Sequence, residues 1–251
     1  MKRDELVNYL DAYLRVSEIK DYGPQGLQVE TDNVEIGRIA LAVDVAPPII
    51  EAAAEWGADM LLVHHGILWR DVERIVGPLG ARVRAFMRHG INLYAAHLPL
   101  DAHPEVGNNA VLAQQLGVNV ETWWFDSNGT KLGVLGDLSA ETPLDQLVQQ
   151  LNTLLNTNSH VLAHGSADAS TVAIITGFGI TGIAEAKALG ADTLITGETS
   201  HANYWSAADL GMNVIFGGHY ATETVGVKAL GQHLTEKFGL ETRFFDFPTA
   251  M

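Results

Sequence analysis

Arg38-Ile-Ala-Leu-Ala-Val43 and Thr171-Val-Ala-Ile-Ile-Thr176 are the stretches on which the fold turns. Each is a short apolar run of the kind that fills a strand buried on both faces. Each leads through a turn into a helical segment, IIEAAAEWGAD after the first and GITGIAEAKALGAD after the second. These helices end alike, at Gly57-Ala58-Asp59 and Gly190-Ala191-Asp192, and each ending leads into another short apolar strand, Met60 to Val63 and Thr193 to Thr196. A third matched strand follows: Gly90-Ile-Asn92-Leu-Tyr-Ala-Ala-His97 against Gly211-Met-Asn213-Val-Ile-Phe-Gly-Gly-His219. Three matches in the same order mark an internal duplication.

Each half therefore reads strand, helix, strand, helix, strand, the pattern of parallel βαβ units with right-handed crossovers. The expected architecture is α/β: two similar layered domains, related by a pseudo-two-fold axis, with the site between them. The turn residues Asp126-Ser-Asn-Gly129 place the junction so that residues 1–125 form the first half and 126–251 the second. Thr242-Arg-Phe-Phe-Asp-Phe247 alternates like a last strand that can return to either sheet.

Composition narrows the function. The chain has 251 residues, 47% of them hydrophobic and 18% charged, enough for one large core or two modest ones. It has no cysteine, which excludes disulfides, thiolate nucleophiles and cysteine-based zinc or iron–sulfur sites. No apolar stretch approaches the roughly 20 residues that span a bilayer. The opening MKRDELVNYLDAYLRV is too interrupted by charge for a signal peptide, and places Leu6, Leu10, Tyr13 and Leu14 on one helical face. A cytoplasmic protein is expected. The net charge of −15 argues against nucleic acid or anionic lipid as a partner. The arginine-rich segment from Arg70 to Arg88 reads as a solvated helix face.

In open parallel sheets ligands bind beyond the carboxyl ends of the strands, and here those ends carry the chemistry. The first half delivers His64 and His65, then His97 and, four residues on, Asp101. The second delivers Glu198 with His201 behind it, then His219 and, again four on, Glu223. Imidazole and carboxylate together suit zinc, iron, manganese, cobalt or nickel. Five to eight donors with at least two carboxylates exceed the need of one tetrahedral ion and fit two divalent ions sharing a bridge. Pro99 places the His97–Asp101 pair on a loop. His89, His160, His164 and His233 fall outside the set and read as surface or core residues.

Gly177-Phe-Gly179-Ile-Thr-Gly182 has the form of a dinucleotide-binding loop, but the duplicate at the same point, Asp44-Val-Ala-Pro-Pro-Ile49, has no glycine, and no ribose-binding acid is clearly placed. Its glycines read instead as permitting a tight turn or a close backbone approach. Asn108-Asn109 and Gln25-Gly-Leu-Gln28 are polar loops that either orient ligands or serve turn chemistry.

Tyr22-Gly-Pro-Gln-Gly-Leu-Gln28, Leu62-Val-His-His-Gly66, His97-Leu-Pro-Leu-Asp101 through Gly107-Asn-Asn109, Thr196-Gly-Glu198 and Gly218-His-Tyr-Ala-Thr-Glu223 together resemble the GTP cyclohydrolase I type 2 family, also called NGG-interacting-factor-three-like or YbgI-like. The likeness runs through nearly the whole chain and to the short bacterial form. It implies a dinuclear metal centre with His64, His65, Asp101, His219 and Glu223 as ligands, Glu223 bridging, in a toroidal homohexamer. It leaves His97 and Glu198 as candidate catalytic groups that shuttle a proton. It puts His201, Asn108 and Tyr220 on the substrate side or behind the ligands. The implied activity is metal-dependent hydrolysis, with a nucleotide such as GTP as the substrate; the competing class is a non-catalytic metal carrier, insertase or regulatory ring.

Overall fold

The computed structural model of the chain describes residues 1–70 and 74–249. In chain order its elements begin with α1 (Arg3–Tyr13), β1 (Gly26–Val29), β2 (Arg38–Ala42), α2 (Pro47–Trp56) and β3 (Met60–Val63). There follow α3 (Gly77–His89), β4 (Asn92–Ala95), α4 (Leu98–Asp101), α5 (Asn108–Gln115), β5 (Val118–Ser127) and β6 (Thr130–Pro143). Next are α6 (Leu144–Leu155), β7 (His160–Ala163), β8 (Asp168–Ile175), α7 (Ile183–Ala188), β9 (Thr193–Thr196) and α8 (Tyr204–Leu210). The chain closes with β10 (Asn213–Phe216), α9 (His219–Thr222), α10 (Thr224–Phe238) and β11 (Glu241–Phe244).

These elements form two compact units, one from Met1–Val106 with Val227–Phe247, the other built on Gly107–Gly226. The first contains a five-stranded sheet in the order β1-β4-β3-β2-β11. Strands β4, β3, β2 and β11 run parallel, and β1 pairs antiparallel with β4 at the edge. The final strand thus returns to the first sheet. Every residue of β3 and β4 is buried, as continuous apolar runs require when both faces are covered. The helices supply that cover: Ile49, Ile50 and Ala53 of α2 and Phe86 of α3 join Ala40, Leu61, Val63 and Leu93 in one core. Leu6 and Leu10 of α1 and the following Leu14 are likewise buried, each contributing about 1.5–3 kcal/mol by leaving water.

The second unit holds a six-stranded sheet, β5-β6-β8-β9-β10-β7. Its middle repeats the first: β8, β9 and β10 are parallel as β2, β3 and β4 are, and β7 pairs antiparallel with β10 as β1 does with β4. In element order α6 precedes β7 as α1 precedes β1, whereas the β5–β6 hairpin has no counterpart among the described residues of the first unit. Asp126–Gly129, expected at the junction of the halves, is the turn of this hairpin inside the second unit, and the chain divides instead after Val106 and Gly226. A Ser-Asn-Gly turn reads the same whether it links domains or strands.

The duplicated Gly-Ala-Asp and Asn residues do the same work twice. Gly57 and Gly190 end their helices with positive φ, 76° and 97°, which a side chain would strain. One carboxylate oxygen of Asp59 accepts from the backbone N–H groups of Gly37 and Arg38; one of Asp192 accepts from those of Ser170 and Thr171, all at 2.9 Å. Fully buried Asn92 accepts from the Thr31 N–H and donates to the Asn33 and Asp59 carbonyls. Asn213, equally buried, accepts from the Gly165 N–H and donates to the Ser166 carbonyl. Within each sheet the parallel registers bring the carboxyl ends level: Ala42, Val63 and Ala95 in the first, and Ile175, Thr196 and Phe216 in the second.

The arginine-rich segment falls partly outside the described residues, and of its members on α3, Arg84 and Arg88 are exposed. No helix among the described residues is long and apolar enough to cross a membrane.

Candidate metal centre

In the first unit β3 ends directly at His64-His65, and β4 is followed by Ala96 and His97. One donor atom from each of His64, His65 and His97 lies within 4.8 Å of the other two, a group that could hold a metal ion. His64 is fully buried, and its Nε2 stands 3.7 Å from Oδ2 of buried Asp101. His97 and Asp101 are not joined by a loop, as Pro99 suggested, but by the short helix α4. Proline is tolerated there because it sits in the first turn, where the N–H it lacks has no helical acceptor. The resemblance leaves His97 outside the ligand set, yet its ring centroid lies 5.0 Å from that of His64 and 5.6 Å from that of His65, which are 4.8 Å from each other.

In the second unit α9 carries His219 at its start and Glu223 just past its end. His219 Nε2 lies 3.2 Å from Oε1 of Glu223, which is 4% exposed. Burial works against protonating His219, but the hydrogen bonds and charges of Glu223 and Glu198 outweigh it and raise the imidazole to about 9. The raised value favours a protonated imidazole facing the Glu223 carboxylate.

The four histidines share a second feature. Each uses Nδ1 toward an oxygen: His64 to the Ala96 carbonyl at 2.9 Å, His65 to Asp44 at 2.8 Å, His97 to Asp21 at 2.8 Å and His219 to Glu198 at 3.0 Å. Carbonyls and carboxylates only accept, so Nδ1 carries a proton in each, and Nε2 is the nitrogen whose lone pair a ring offers in its neutral form. That tautomer, with an oxygen behind the ring, is the arrangement of metal-ligating histidine. The donor set thus fits divalent metal of the zinc, iron, manganese, cobalt or nickel type.

Three of these supporting oxygens had no sequence signal. Asp21, Asp44 and Ala96 belong to no ligand-spaced motif, and only the fold brings them behind the rings. Glu198, expected to move protons, accepts from the His219 imidazole. Gln25 serves turn chemistry through its amide, which donates to the Gly23 carbonyl, and also orients the site through Oε1, which accepts from the His97 N–H at 2.7 Å. Gln28 likewise accepts from the Ile67 N–H, just beyond His64-His65.

Asn108 and Asn109, read as polar loop residues, are fully buried at the start of α5. Asn108 accepts from the Gly226 N–H and Asn109 from the Thr176 N–H, so both latch the second unit together from within. Tyr220 is buried, and His201 is exposed in the turn that precedes α8. The glycine loop after β8 makes the close approach anticipated for it: at Gly177, with φ 65°, a Cβ would meet Glu223 Oε1 at 2.3 Å and His219 Nε2 at 3.2 Å. Of the other histidines, His233 stacks on Tyr13, with centroids 4.4 Å apart.

A family model described as Duf34/NIF3 (NGG1p interacting factor 3) matches residues 1–250. A protein of Deinococcus radiodurans named GTP cyclohydrolase 1 type 2 homolog is 44% identical over 250 residues, covering 99% of this chain and 94% of its own. A protein of the same name from Pyrococcus abyssi is 44% identical over 253 residues and matches along all of both chains. The crystal structure of a Thermus thermophilus protein superposes with a TM-score of 0.90 at 42% identity, each chain covered in full.

Proposed function

This chain belongs to the Duf34/NIF3 family, and on that footing we propose that it is a dinuclear metal-dependent hydrolase. His64, His65, Asp101, His219 and Glu223 are the proposed ligands of two divalent ions, with Glu223 shared between them. The observation that carries the reading is the common tautomer of the strand-end histidines, each with Nδ1 committed to an oxygen. A histidine kept for packing alone has no reason to repeat that choice at matched strand ends of two sheets.

Two such ions supply Lewis acidity, lowering the pKa of a water and polarising a substrate oxygen. The chain's own residues do the rest. Asp44 and Glu198 orient His65 and His219, and Gly177 leaves room for the Glu223 carboxylate. Proton exchange falls to the ionisable groups beside the ligands, with His97 and Glu198 the ones the strand ends supply. The name shared by the relatives points to a nucleotide such as GTP as the substrate. The resemblance extends the proposal to a cytoplasmic toroidal homohexamer, for which native mass is the direct measure.

The test is metal content per chain of protein purified without chelator, for the wild type and Glu223→Gln. About two ions per chain, falling sharply in the variant, are expected. No bound metal, and no uptake of zinc, manganese, iron or cobalt, would refute the assignment. Metal without turnover across a panel of nucleotides would leave a carrier or scaffold in place of an enzyme.

A further inference from the structure

The segment from Asp21 to Gln28 acts as a strap across both metal-facing turns of the first unit. Gln28 takes the Ile67 N–H beyond His64-His65, and the Tyr22 carbonyl takes the N–H of Arg70. At its other end, Asp21 grips the turn after β4 at two points. Its Oδ1 accepts from His97 Nδ1 and its Oδ2 from the Leu98 N–H, both at 2.8 Å. Leu98 opens α4, which ends at Asp101, so one carboxylate orients the His97 ring and seats the helix that carries Asp101. The faces of that ring are packed as well: Trp69 lies edge-on at 5.1 Å and Tyr22 at 6.2 Å between centroids.

The Asp21 side chain is only 1% exposed. Burying a carboxylate is costly unless donors and positive charge compensate it. The hydrogen bonds from His97 and Leu98 supply donors, and a cation held by His97 would supply charge; one donor atom of His97 lies within 4.8 Å of donor atoms of His64 and His65. Carboxylate, imidazole and metal in line is an arrangement that also raises the basicity of the ligand.

We propose that Asp21 is a positioning residue that holds His97 as a third histidine donor to metal beside His64 and His65. The inference rests on the metal-binding reading given above and moves His97 from proton carrier to ligand. Substitution at either residue weakens the metal site, and because Asp21 acts through His97, the two losses are not independent.

The experiment is a cobalt(II) titration of the full-length chain, followed by visible absorption, for wild type, Asp21→Asn, His97→Gln and the double variant. Circular dichroism and thermal melting check that each is folded. Asparagine can accept only one of the two N–H groups and turns a donor toward the other, without change of size. Each single variant is expected to bind cobalt about 10–100-fold more weakly. His97→Gln is expected to shift the absorption bands, and the double variant to bind no more weakly than His97→Gln alone. Single variants within about twofold of wild type overturn the proposal, as does full additivity in the double variant, which would mean that Asp21 acts on the fold and not through His97. A wild-type chain that takes up no cobalt fails at the earlier step, and refutes the metal reading itself.

Discussion

Replacing Gly177 by alanine is a sharp perturbation of this site that leaves every candidate ligand in place. Two costs are expected. The first is backbone strain: Gly177 has φ 65°, where an L side chain costs about 1–2 kcal/mol. The second is steric: the new Cβ would fall 2.3 Å from Glu223 Oε1, so the carboxylate must shift. Glu223 is 4% exposed and cannot move into water without carrying its helix along. Its contact with protonated His219 at 3.2 Å is then lost, worth about 1.5–3 kcal/mol for a charge-assisted hydrogen bond.

Gly239 separates the two costs. Its φ is 68° and nothing lies within 4 Å of the Cβ position, so Gly239→Ala carries the strain alone. In metal-free protein at pH 7, Gly177→Ala should melt several degrees below Gly239→Ala, at about 2–4 °C per kcal/mol for a chain of this size. It should also bind less metal, and its His219 proton, followed by NMR, should come off at lower pH, whereas Gly239→Ala should match the wild type in both. Equal melting temperatures and unchanged metal content in the two variants would refute the geometry claimed for the Gly177 loop.

His219 links stability to pH in the metal-free protein. Its folded value of about 9 lies above the ordinary 6.5, so the folded state binds the proton more tightly; the stabilisation is full below pH 6.5 and is lost as pH rises through 9. It amounts to at most about 3 kcal/mol, reduced by the water that reaches the ring, and melting from pH 6 to pH 9.5 should show a slope that His219→Gln lacks. The paired latches predict paired effects: Asn92→Leu and Asn213→Leu each strand buried backbone groups, at about 1–3 kcal/mol per group. Urea unfolding that finds either variant within about 0.5 kcal/mol of wild type would contradict the roles given to these amides.

Much of the fold was legible because repetition multiplies weak signals. A single run such as Met60 to Val63 is ambiguous between strand and buried helix, but its match at Thr193 to Thr196, each after Gly-Ala-Asp, is not. The antiparallel pairing of β1 with β4 and of β7 with β10 was hidden because the short strands β1 and β7 do not resemble each other in sequence. The β5–β6 hairpin was misread as a junction because its turn residues carry no information about what they connect.

The site divides in the same way. Local sequence determined which donors stand at strand ends, since His64-His65, His97 with Asp101, and His219 with Glu223 each follow directly from a buried apolar strand. It also determined that thiolate chemistry is absent and that the glycines after β8 allow a close approach. Only the tertiary structure decided which nitrogen of each histidine carries the proton, because the deciding oxygens come from distant segments: Asp21 lies 76 residues from His97 and Asp44 lies 21 from His65. It likewise decided that Asn108 is an internal latch, that Glu198 braces His219, and that the C-terminal strand completes the first sheet. A spacing motif records what one turn of chain presents; hydrogen bonds between segments depend on how sheets and loops stack, and no local pattern encodes that.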